Sequence, residues 1–398
     1  MTKPHAARMM NMSNQTSTRN VRYVIIAIII IVIIAGGLYY QTTLSGTATT
    51  SMMSETNMAP VSLLGAGATF PQPLIQKWTV TYNQLYPSVT ISYNGIGSGG
   101  GIQQITAKTV DFGASDAPLS DKQLAAAPGL VLFPETLGGV AITYNLVQYG
   151  VPNTTVLHFT GTVLANIYAG NITKWNDPAL VALNPGITLP NQQITVVHRS
   201  DGSGTTFAYT NFLSVVDNAW ATEVGYSTSV TWPVDKLATG VGGKGNPGVA
   251  GAVANTPGAI GYVDVIYAVS NHLGIGAVQN AAGNWVAPTL QTILWAAANA
   301  TGTPNPADLR LHIVNAAGAQ SYPIATYTYM LVYKDMSTQP SMTLDKAKAL
   351  AKFLWWEVHD GQQYSEALIY VPLPQNVVAA DEQLLMTLNF QGQLLLSQ

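Results

Sequence analysis

One local pattern recurs along most of this chain: an apolar run typical of a buried strand, then a glycine-rich turn, then a helical segment. Residues 89–93 lead in this way into a helical pattern at 102–108, and residues 194–198 lead into one at 205–216. Further strands are predicted at 130–133, 139–144, 259–263 and 326–332, and an amphipathic helix at 344–357. Because such units pack their helices onto a shared sheet, the order predicts an α/β fold.

The N-terminal part of the chain has a different composition. Residues 23–40 form an 18-residue run without a charge, and residues 1–22 carry four basic residues and no acidic one. A helix of that length is about 27 Å long, close to the hydrocarbon thickness of a membrane. The basic residues predict a cytoplasmic N-terminus at 1–22 and an extracytoplasmic location for the rest. We expect a transmembrane anchor at 23–40 and a Thr- and Ser-rich stalk at 41–61; a cleaved signal peptide is the alternative.

The composition excludes several functional classes. The chain has no cysteine, which rules out disulfides, thiolate metal sites and a cysteine nucleophile. Its net charge of −3 argues against a nucleic-acid binder. The six histidines show no metal-ligand spacing, so we expect neither a metal nor another cofactor. Hydrophobic residues make up 47% of the chain, which is enough for a substantial core.

Three glycine-rich turns carry the chemical signal. They lie at residues 65–71, 95–101 and 200–205, each directly before a predicted helix. A helix N-terminus offers free backbone N–H groups and the positive end of the helix dipole, and both favour anions. For one turn alone an ordinary helix cap is the simpler interpretation. Three such turns in one chain, one of them preceded by Arg199, indicate a bound oxyanion.

Other interpretations of these turns have specific weaknesses. Gly95, Gly97 and Gly100 match the dinucleotide pattern G-x-G-x-x-G, but no acid follows at the distance needed to bind a ribose. Residues 242–245 resemble part of a P-loop without the Ser or Thr after the lysine, so this chain is not an ATPase. Ser203 lacks the G-x-S-x-G elbow of a serine hydrolase. A dinucleotide-dependent enzyme stays open as the alternative from another functional class.

Several long motifs occur in a fixed order: GAGATFPQPLIQKW, YNGIGSGGGIQQITAKTVDFGASDAPLS, RSDGSGTT, GVGGKGNPG and PGAIGYV. Over residues 62–398 the chain closely resembles the phosphate-binding proteins of the phosphate-specific ABC importers, the PstS family. The resemblance implies a periplasmic-binding-protein fold of type II, with two α/β domains, a ligand cleft and two crossover strands as a hinge. One domain would combine residues 62–144 with 322–398, and the other would hold 145–321.

The resemblance also implies a function and a ligand set. The chain would bind inorganic phosphate as a monomer and deliver it to permease subunits whose ATPase is a separate chain; it would not be an enzyme. Phe70 would contribute its backbone N–H. The matching phosphate-binding positions are Thr69, Phe70, Ser98, Asp116, Arg199, Asp201, Ser203, Gly204 and Thr205.

This chain departs from the family pattern at a few points. Gly99 stands where relatives often have a second serine, and Ser200 replaces a common alanine. The lipid-attachment cysteine of many relatives is absent, and the apolar segment at 23–40 takes its place.

Residue chemistry is consistent with this ligand. Arg199 can supply the fixed positive charge as a bidentate fork, with Asp201 orienting it. A carboxylate at Asp116 repels an anion unless the anion brings a proton for it to accept, which phosphate does and ionised sulfate does not. Asp116 therefore disfavours sulfate. The same fold tuned to another oxyanion, such as molybdate or arsenate, stays open, because arsenate also carries protons.

The low charge suggests a habitat as well. Charged residues are only 9% of the chain, and a surface with few carboxylates changes little in acid. We therefore expect a protein adapted to an acidic medium. In strong acid Asp116 would itself be protonated, and its selectivity would weaken.

Overall fold

The computed structural model of this chain describes residues 60–300 and 302–397. The predicted cytoplasmic segment 1–22, the anchor or signal at 23–40 and nearly all of the stalk at 41–61 lie outside the described residues. Among the helices that the structure describes, none has the length and apolarity to cross a membrane. The first strand begins at Val61, within one residue of the predicted start of the globular part.

Strands and helices alternate along the chain, as predicted. The strands are β1 (Val61–Gly67), β2 (Val89–Gly95), β3 (Phe112–Ser115), β4 (Leu130–Tyr144), β5 (His158–Phe159), β6 (Thr195–Arg199), β7 (Gly240–Gly243), β8 (Ala259–Asp264), β9 (Gly274–Ile275), β10 (Ala277–Gln279), β11 (Trp285–Val286), β12 (Ala325–Tyr333), β13 (Asn389–Phe390) and β14 (Gln393–Leu394). The helices are α1 (Gln72–Leu85), α2 (Ser98–Thr106), α3 (Asp121–Ala126), α4 (Gly161–Ala169), α5 (Pro178–Leu183), α6 (Gly204–Val216), α7 (Asn218–Glu223), α8 (Gly245–Asn255), α9 (Val265–Ser270), α10 (Leu290–Ala298), α11 (Leu344–Val358) and α12 (Gln375–Leu385). Short 3-10 turns occupy Val147–Tyr149, Pro233–Leu237, Met336–Thr338, Asp360–Tyr364 and Glu366–Leu368.

The main sheet is mixed and has the strand order β2-β1-β3-β12-β4-β8-β6-β7, with β9 added beside β4. Two groups of parallel strands stand at its ends: β1 pairs in parallel with β2 and β3, and β6 with β7 and β8. The long strand β4 joins the groups, because its first part pairs with β12 and its last part, Val140 to Tyr144, pairs with β8. The predicted α/β class is therefore confirmed.

The strand β4 differs from the prediction, which had two strands at 130–133 and 139–144. The structure has one strand of 15 residues, Leu130–Tyr144. Thr136 lies opposite Thr328 and Pro134 opposite Tyr329, so Glu135 is the extra residue of a β-bulge. A bulge tolerates a proline because one residue leaves the regular hydrogen-bond ladder there. The strand therefore continues through Pro134, and the two predicted strands are one.

This topology determines where the three glycine-rich turns lie. They follow the carboxyl ends of β1, β2 and β6 and precede α1, α2 and α6. In sheets of this kind ligands bind outside the carboxyl ends of the strands, where successive helices begin. The turn after β3, which holds Asp116, lies in the same region, since β3 runs parallel to β1. Four turns that are far apart in sequence are thus available to one site.

Candidate anion-binding site

The third turn lies close to the second turn and to Asp116, which follows β3. The backbone N–H of Gly99 donates to the carbonyl of Gly202 at 2.9 Å. The backbone N–H of Gly204 donates to Ser98 Oγ at 3.0 Å, and Thr205 Oγ1 donates to Asp116 Oδ2 at 3.1 Å. Seven of the nine predicted ligand residues are at most 4% exposed: Thr69, Phe70, Ser98, Asp116, Arg199, Ser203 and Thr205. The structure therefore gathers the predicted residues into one water-poor space.

Ser98 is held as a hydrogen-bond donor. Its Oγ accepts from the backbone N–H of Asp116 at 3.2 Å and from that of Gly204 at 3.0 Å. A hydroxyl has two acceptor lone pairs and one proton. Since backbone donors occupy both lone pairs, the hydroxyl proton is left for an acceptor in the site.

Arg199 supplies the positive charge of the site. Its Nε donates to Asp201 Oδ1 at 2.8 Å and its Nη2 to Asp201 Oδ2 at 2.5 Å, so the pair is bidentate. The arginine side chain is only 1% exposed. The backbone N–H of Gly245 also donates to Asp201 Oδ1, at 2.9 Å. Partial burial acts to raise the pKa of Asp201, but the hydrogen bonds and charge of Arg199 outweigh it, and the net shift is downward. The predicted role of Asp201 in orienting Arg199 matches this geometry.

Asp116 is only partly satisfied by hydrogen bonds. Its Oδ2 accepts from Thr205, while its Oδ1 is buried and has no hydrogen-bond partner among the residues that the structure describes. Burial raises the pKa of Asp116 to about 7, and the nearby charge of Arg199 offsets part of that effect. Near neutral pH this carboxyl can therefore either accept or donate a proton.

Ser203 and Phe70 have structural contacts as well. Ser203 Oγ accepts from the backbone N–H of Thr206 at 3.0 Å and so caps α6, the helix whose N-terminus faces Ser98. Phe70 is fully buried, and its carbonyl accepts from the Tyr370 hydroxyl at 2.6 Å. These contacts fix the N-termini of α6 and α1, whose backbone N–H groups are the expected donors.

Sequence reasoning missed one central residue, Asn246. It is fully buried at the second position of α8 and contacts the hydroxyls of Thr69 and Thr205. A signal was present, since Asn246 belongs to the motif GVGGKGNPG, but that motif suggested no chemistry beyond an incomplete P-loop. Asp264 was missed too: it is fully buried, and neither carboxyl oxygen has a hydrogen-bond partner among the described residues.

A cavity of about 270 Å³ adjoins the site. Thr69 and Asp201 line it together with the side chain of Lys244, which is exposed to solvent. The cavity lining is Thr69, Gln72, Gly95, Ile96, Asp201, Lys244, Gly245 and Pro247. The cavity therefore borders the site at Thr69 and Asp201 and has the Lys244 ammonium in its lining.

The alternative chemistries find no support in these turns. A Cβ added at Gly97 would lie 2.2 Å from Asp201 Oδ2, so this glycine serves the contact between the second and third turns. His198 is buried, and its Nε2 lies 2.8 Å from Asp235 Oδ1 while its ring stacks on Trp232. Within residues 60–300 and 302–397 no group of three or more His, Cys, Asp or Glu side chains is placed to hold a metal ion.

Comparison with known proteins gives the same picture. A model of the PBP superfamily domain matches residues 45–358. The phosphate-binding protein PstS of Xylella fastidiosa (strain 9a5c) is 44% identical over 337 residues, which cover 84% of this chain and 87% of that protein. PstS of Haemophilus influenzae is 43% identical over 318 residues, 80% of this chain and 90% of its own length.

The fold also matches solved structures. A phosphate-binding protein from Stenotrophomonas maltophilia superimposes with a TM-score of 0.59 at 20% identity, over 81% of this chain and 93% of the other. At that identity the likeness concerns the fold alone. The family model and the sequence relatives show that this chain belongs to the PBP superfamily and, within it, to the PstS family of phosphate-binding proteins.

Proposed function

We propose that this chain is an extracytoplasmic solute-binding protein, and not an enzyme, that captures inorganic phosphate and delivers it to an ABC importer. The observation that carries the proposal is the buried Asp116 Oδ1, which has no partner among the described residues. The backbone N–H of Asp116 donates to the Ser98 hydroxyl oxygen, and its Oδ2 accepts from Thr205, which Arg199 Nη1 contacts in turn. The relatives named above are phosphate-binding proteins, which supports the same ligand.

The charges of the site suit a partly protonated oxyanion. Arg199 is balanced by Asp201, so the site offers one cation and many neutral donors rather than a strong positive field. Phosphate brings both charge and a proton, since its second pKa is about 6. That proton lets the anion donate to Asp116 Oδ1, whereas ionised sulfate would leave two acceptors facing each other. Arsenate satisfies the same requirement, so the site selects for protonated tetrahedral oxyanions.

Capture and delivery would follow from the two-domain arrangement. We propose the lobes 62–144 with 322–398, and 145–321, with β4 and β12 as the crossover strands. In support, the contacts from Ser98 to Gly204 and from Thr69 to Asn246 link residues of the two proposed lobes. A ligand that binds both lobes stabilises the closed form, which would dock on permease subunits as a monomer. The segment 23–40, as an anchor or as a cleaved signal, would place the protein outside the cytoplasm.

Calorimetry on the ligand-stripped full-length protein tests the proposal. We expect one phosphate per chain to bind tightly at pH 8, and no heat from sulfate at the same ionic strength. Comparable binding of both anions would move the function to a broader oxyanion receptor. Failure of a folded, ligand-free sample to bind either anion would reject the proposal.

A further inference from the structure

Asn246 connects hydroxyls that come from different turns of the site. Its backbone N–H and its Nδ2 donate to Thr69 Oγ1 at 3.0 and 3.3 Å, and Nδ2 also donates to Thr205 Oγ1 at 3.2 Å. Thr69 follows β1, Thr205 opens α6, and Asn246 lies in α8, so three elements meet at one amide. Asn246 itself is fully buried.

The orientation of this amide follows from a backbone group. The N–H of Asp264 meets Asn246 Oδ1 at 3.1 Å. A backbone N–H can only donate, so the atom it meets must be the amide oxygen, and the other terminal atom must be the NH2 group. The threonine hydroxyls are therefore contacted by a donor.

A donor at each threonine oxygen determines where the threonine protons point. Both lone pairs of Thr69 Oγ1 are occupied by Asn246, so its proton is left for an acceptor in the site. Thr205 Oγ1 accepts from Asn246 Nδ2 and, at 3.4 Å, from Arg199 Nη1, and its hydroxyl donates to Asp116 Oδ2. Oδ2 of Asp116 is thereby supplied with a hydrogen, and Oδ1 is left as the acceptor that faces the ligand.

We propose that Asn246 is a positioning residue that makes both threonines hydrogen-bond donors and thereby sets the preference of the site for a protonated oxyanion. The inference rests on the proposed function and adds the residue that determines its selectivity. Without the amide donor, Thr205 could accept a proton from Asp116 instead of donating one. A protonated Asp116 would then tolerate sulfate, because it no longer repels an anion that lacks a proton.

Asn246→Asp is the decisive variant, because it keeps the size of the side chain and the acceptor for Asp264 but replaces the NH2 donor by an oxygen. At pH 8 we expect its phosphate affinity to fall about 10-fold or more, as for loss of hydrogen bonds in a charged site, and its phosphate-over-sulfate ratio to fall as well. When the pH is lowered, the introduced carboxyl gains a proton and can donate again. The deficit relative to wild type should therefore shrink between pH 8 and pH 5.

The pH dependence of Asn246→Asp is measured as the ratio of variant to wild-type phosphate affinity, because other groups near residue 246 also titrate. These are Asp116 after β3, Asp201 after β6 and Asp264 at the end of β8, and they are common to both proteins. Asn246→Ala provides a second test: it should lose affinity and selectivity at every pH without recovery. Asn255→Ala is the matched control, since Asn255 lies in the same helix and is exposed, and its side-chain amide donates to the Gly251 carbonyl at 2.8 Å.

The outcomes separate two failures. If wild type binds phosphate selectively and Asn246→Asp binds it with the same affinity and selectivity, the role of Asn246 is wrong while the proposed function stands. A deficit that is independent of pH in Asn246→Asp would also overturn the inference, because a purely structural role predicts it. If wild type itself binds no phosphate, the proposed function and this inference fall together.

Discussion

The side chains of this site act through the direction of their protons. Ser98 accepts two backbone N–H groups, as Thr69 accepts two donors from Asn246, so both hydroxyls are left to donate. Hydroxyl groups normally rotate to suit any partner. Here the surrounding donors remove that freedom, and the site is prepared for an acceptor-rich ligand before one arrives.

At this scale the pH dependence of sulfate binding tests the role of Asp116. Its pKa of about 7 means that the carboxyl is mostly ionised at pH 8.5 and mostly protonated at pH 5.5. A protonated carboxyl can donate to sulfate, so we expect wild-type sulfate affinity to rise as the pH falls through about 7. Titration calorimetry at constant ionic strength measures this. Sulfate is the suitable probe because, unlike phosphate, it does not titrate in this range.

Asp116→Asn should remove that dependence, because an amide is neutral and can donate a hydrogen bond at every pH in this range. It should bind sulfate at pH 8.5 about as well as wild type does at pH 5.5. Asp345→Asn, at an exposed position in the first turn of α11, serves as the control and should keep the wild-type profile. A wild-type sulfate affinity that is flat from pH 5.5 to 8.5 would contradict the assignment.

Arg199→Lys tests the guanidinium. A lysine keeps the charge but cannot contact Asp201 with two parallel N–H groups and still reach the ligand, so phosphate affinity should fall about 10-fold or more. The chain offers a close control in Arg310, which makes the same bidentate contact with Asp308 at 2.8 and 2.7 Å in a more exposed place. Arg310→Lys should leave phosphate affinity unchanged. Equal effects of the two substitutions in calorimetry would argue against Arg199 as a ligand.

At the scale of elements, the site depends on how closely helices approach strands. The helix α2 lies against β1 at Gly101, where an added Cβ would be 2.5 Å from Gly67 Cα and 2.9 Å from two carbonyl oxygens. Those neighbours are backbone atoms, which cannot rotate away. The glycines of the second turn therefore allow close packing and bring Ser98, at the start of the same helix, into the site.

Gly101→Ala should destabilise the fold by about 1–3 kcal/mol, the usual cost of overpacking a tight contact. Gly251→Ala is the matched substitution in α8, where no heavy atom lies within 4 Å of the added Cβ. There alanine reduces the freedom of the unfolded chain and suits a helix, so stability should rise by about 0.5–1 kcal/mol. Chemical denaturation of the two variants measures the change in the free energy of unfolding, which should be negative for Gly101→Ala and positive for Gly251→Ala. Equal effects at the two positions would show that α2 and β1 are less closely packed than described.

At the scale of the whole molecule, buried carboxyl groups set the response to pH. Burial raises the pKa of Glu135 to about 8, and it raises the pKa of Asp264, Glu357 and Asp381 well above their ordinary values. The charge of Glu135 further raises the pKa of Glu357, and that of Asp116 raises the pKa of Glu135. The backbone carbonyls of Glu135 and Glu357 both accept from the Gln362 amide. Most of these carboxyl oxygens have no hydrogen-bond partner among the described residues: Glu135 Oε2 and both oxygens of Asp264, Glu357 and Asp381.

Stability should therefore fall as the pH rises from about 4 to about 8. In this window the folded chain holds protons on carboxyls that the unfolded chain has released, so a rise in pH favours unfolding by ~1.4 kcal/mol per pKa unit and group. Carboxyls with a lowered pKa, such as Asp201 and Asp308, oppose this trend only below about pH 4. Urea denaturation at pH 5 and pH 8 measures the difference. The expected direction agrees with the acidic habitat suggested by the composition.

Glu357→Gln isolates one contribution. It keeps the shape of the side chain and removes the titrating group, so it should stabilise the protein at pH 8 more than at pH 5. An equal or smaller effect at pH 8 would show that Glu357 does not titrate in this range. Glu366→Gln is a control for loss of surface charge, because Glu366 is exposed at the start of the 3-10 turn Glu366–Leu368.

Local patterns were sufficient to predict the parts of this protein that depend on neighbouring residues. The strands predicted at 89–93, 194–198, 259–263 and 326–332 lie within two positions of β2, β6, β8 and β12, and turn composition predicted the three helix N-termini. The motifs around Arg199 and Asp116 indicated the family, which the comparisons confirm. The binding roles of individual ligand residues and the two-lobe division stay predictions until they are measured.

What only the tertiary structure decided are contacts between residues that lie far apart in sequence. Asn246 donates to Thr69 across 177 positions, and Thr205 reaches Asp116 across 89. The bulge at Glu135, which turns two predicted strands into one, depends on pairing with β12, almost 200 residues later in the chain. Burial of Glu135 and Glu357 likewise depends on what packs around them. Hydrogen bonding and desolvation depend on the groups that pack around a residue, and the sequence alone does not show which distant groups these will be.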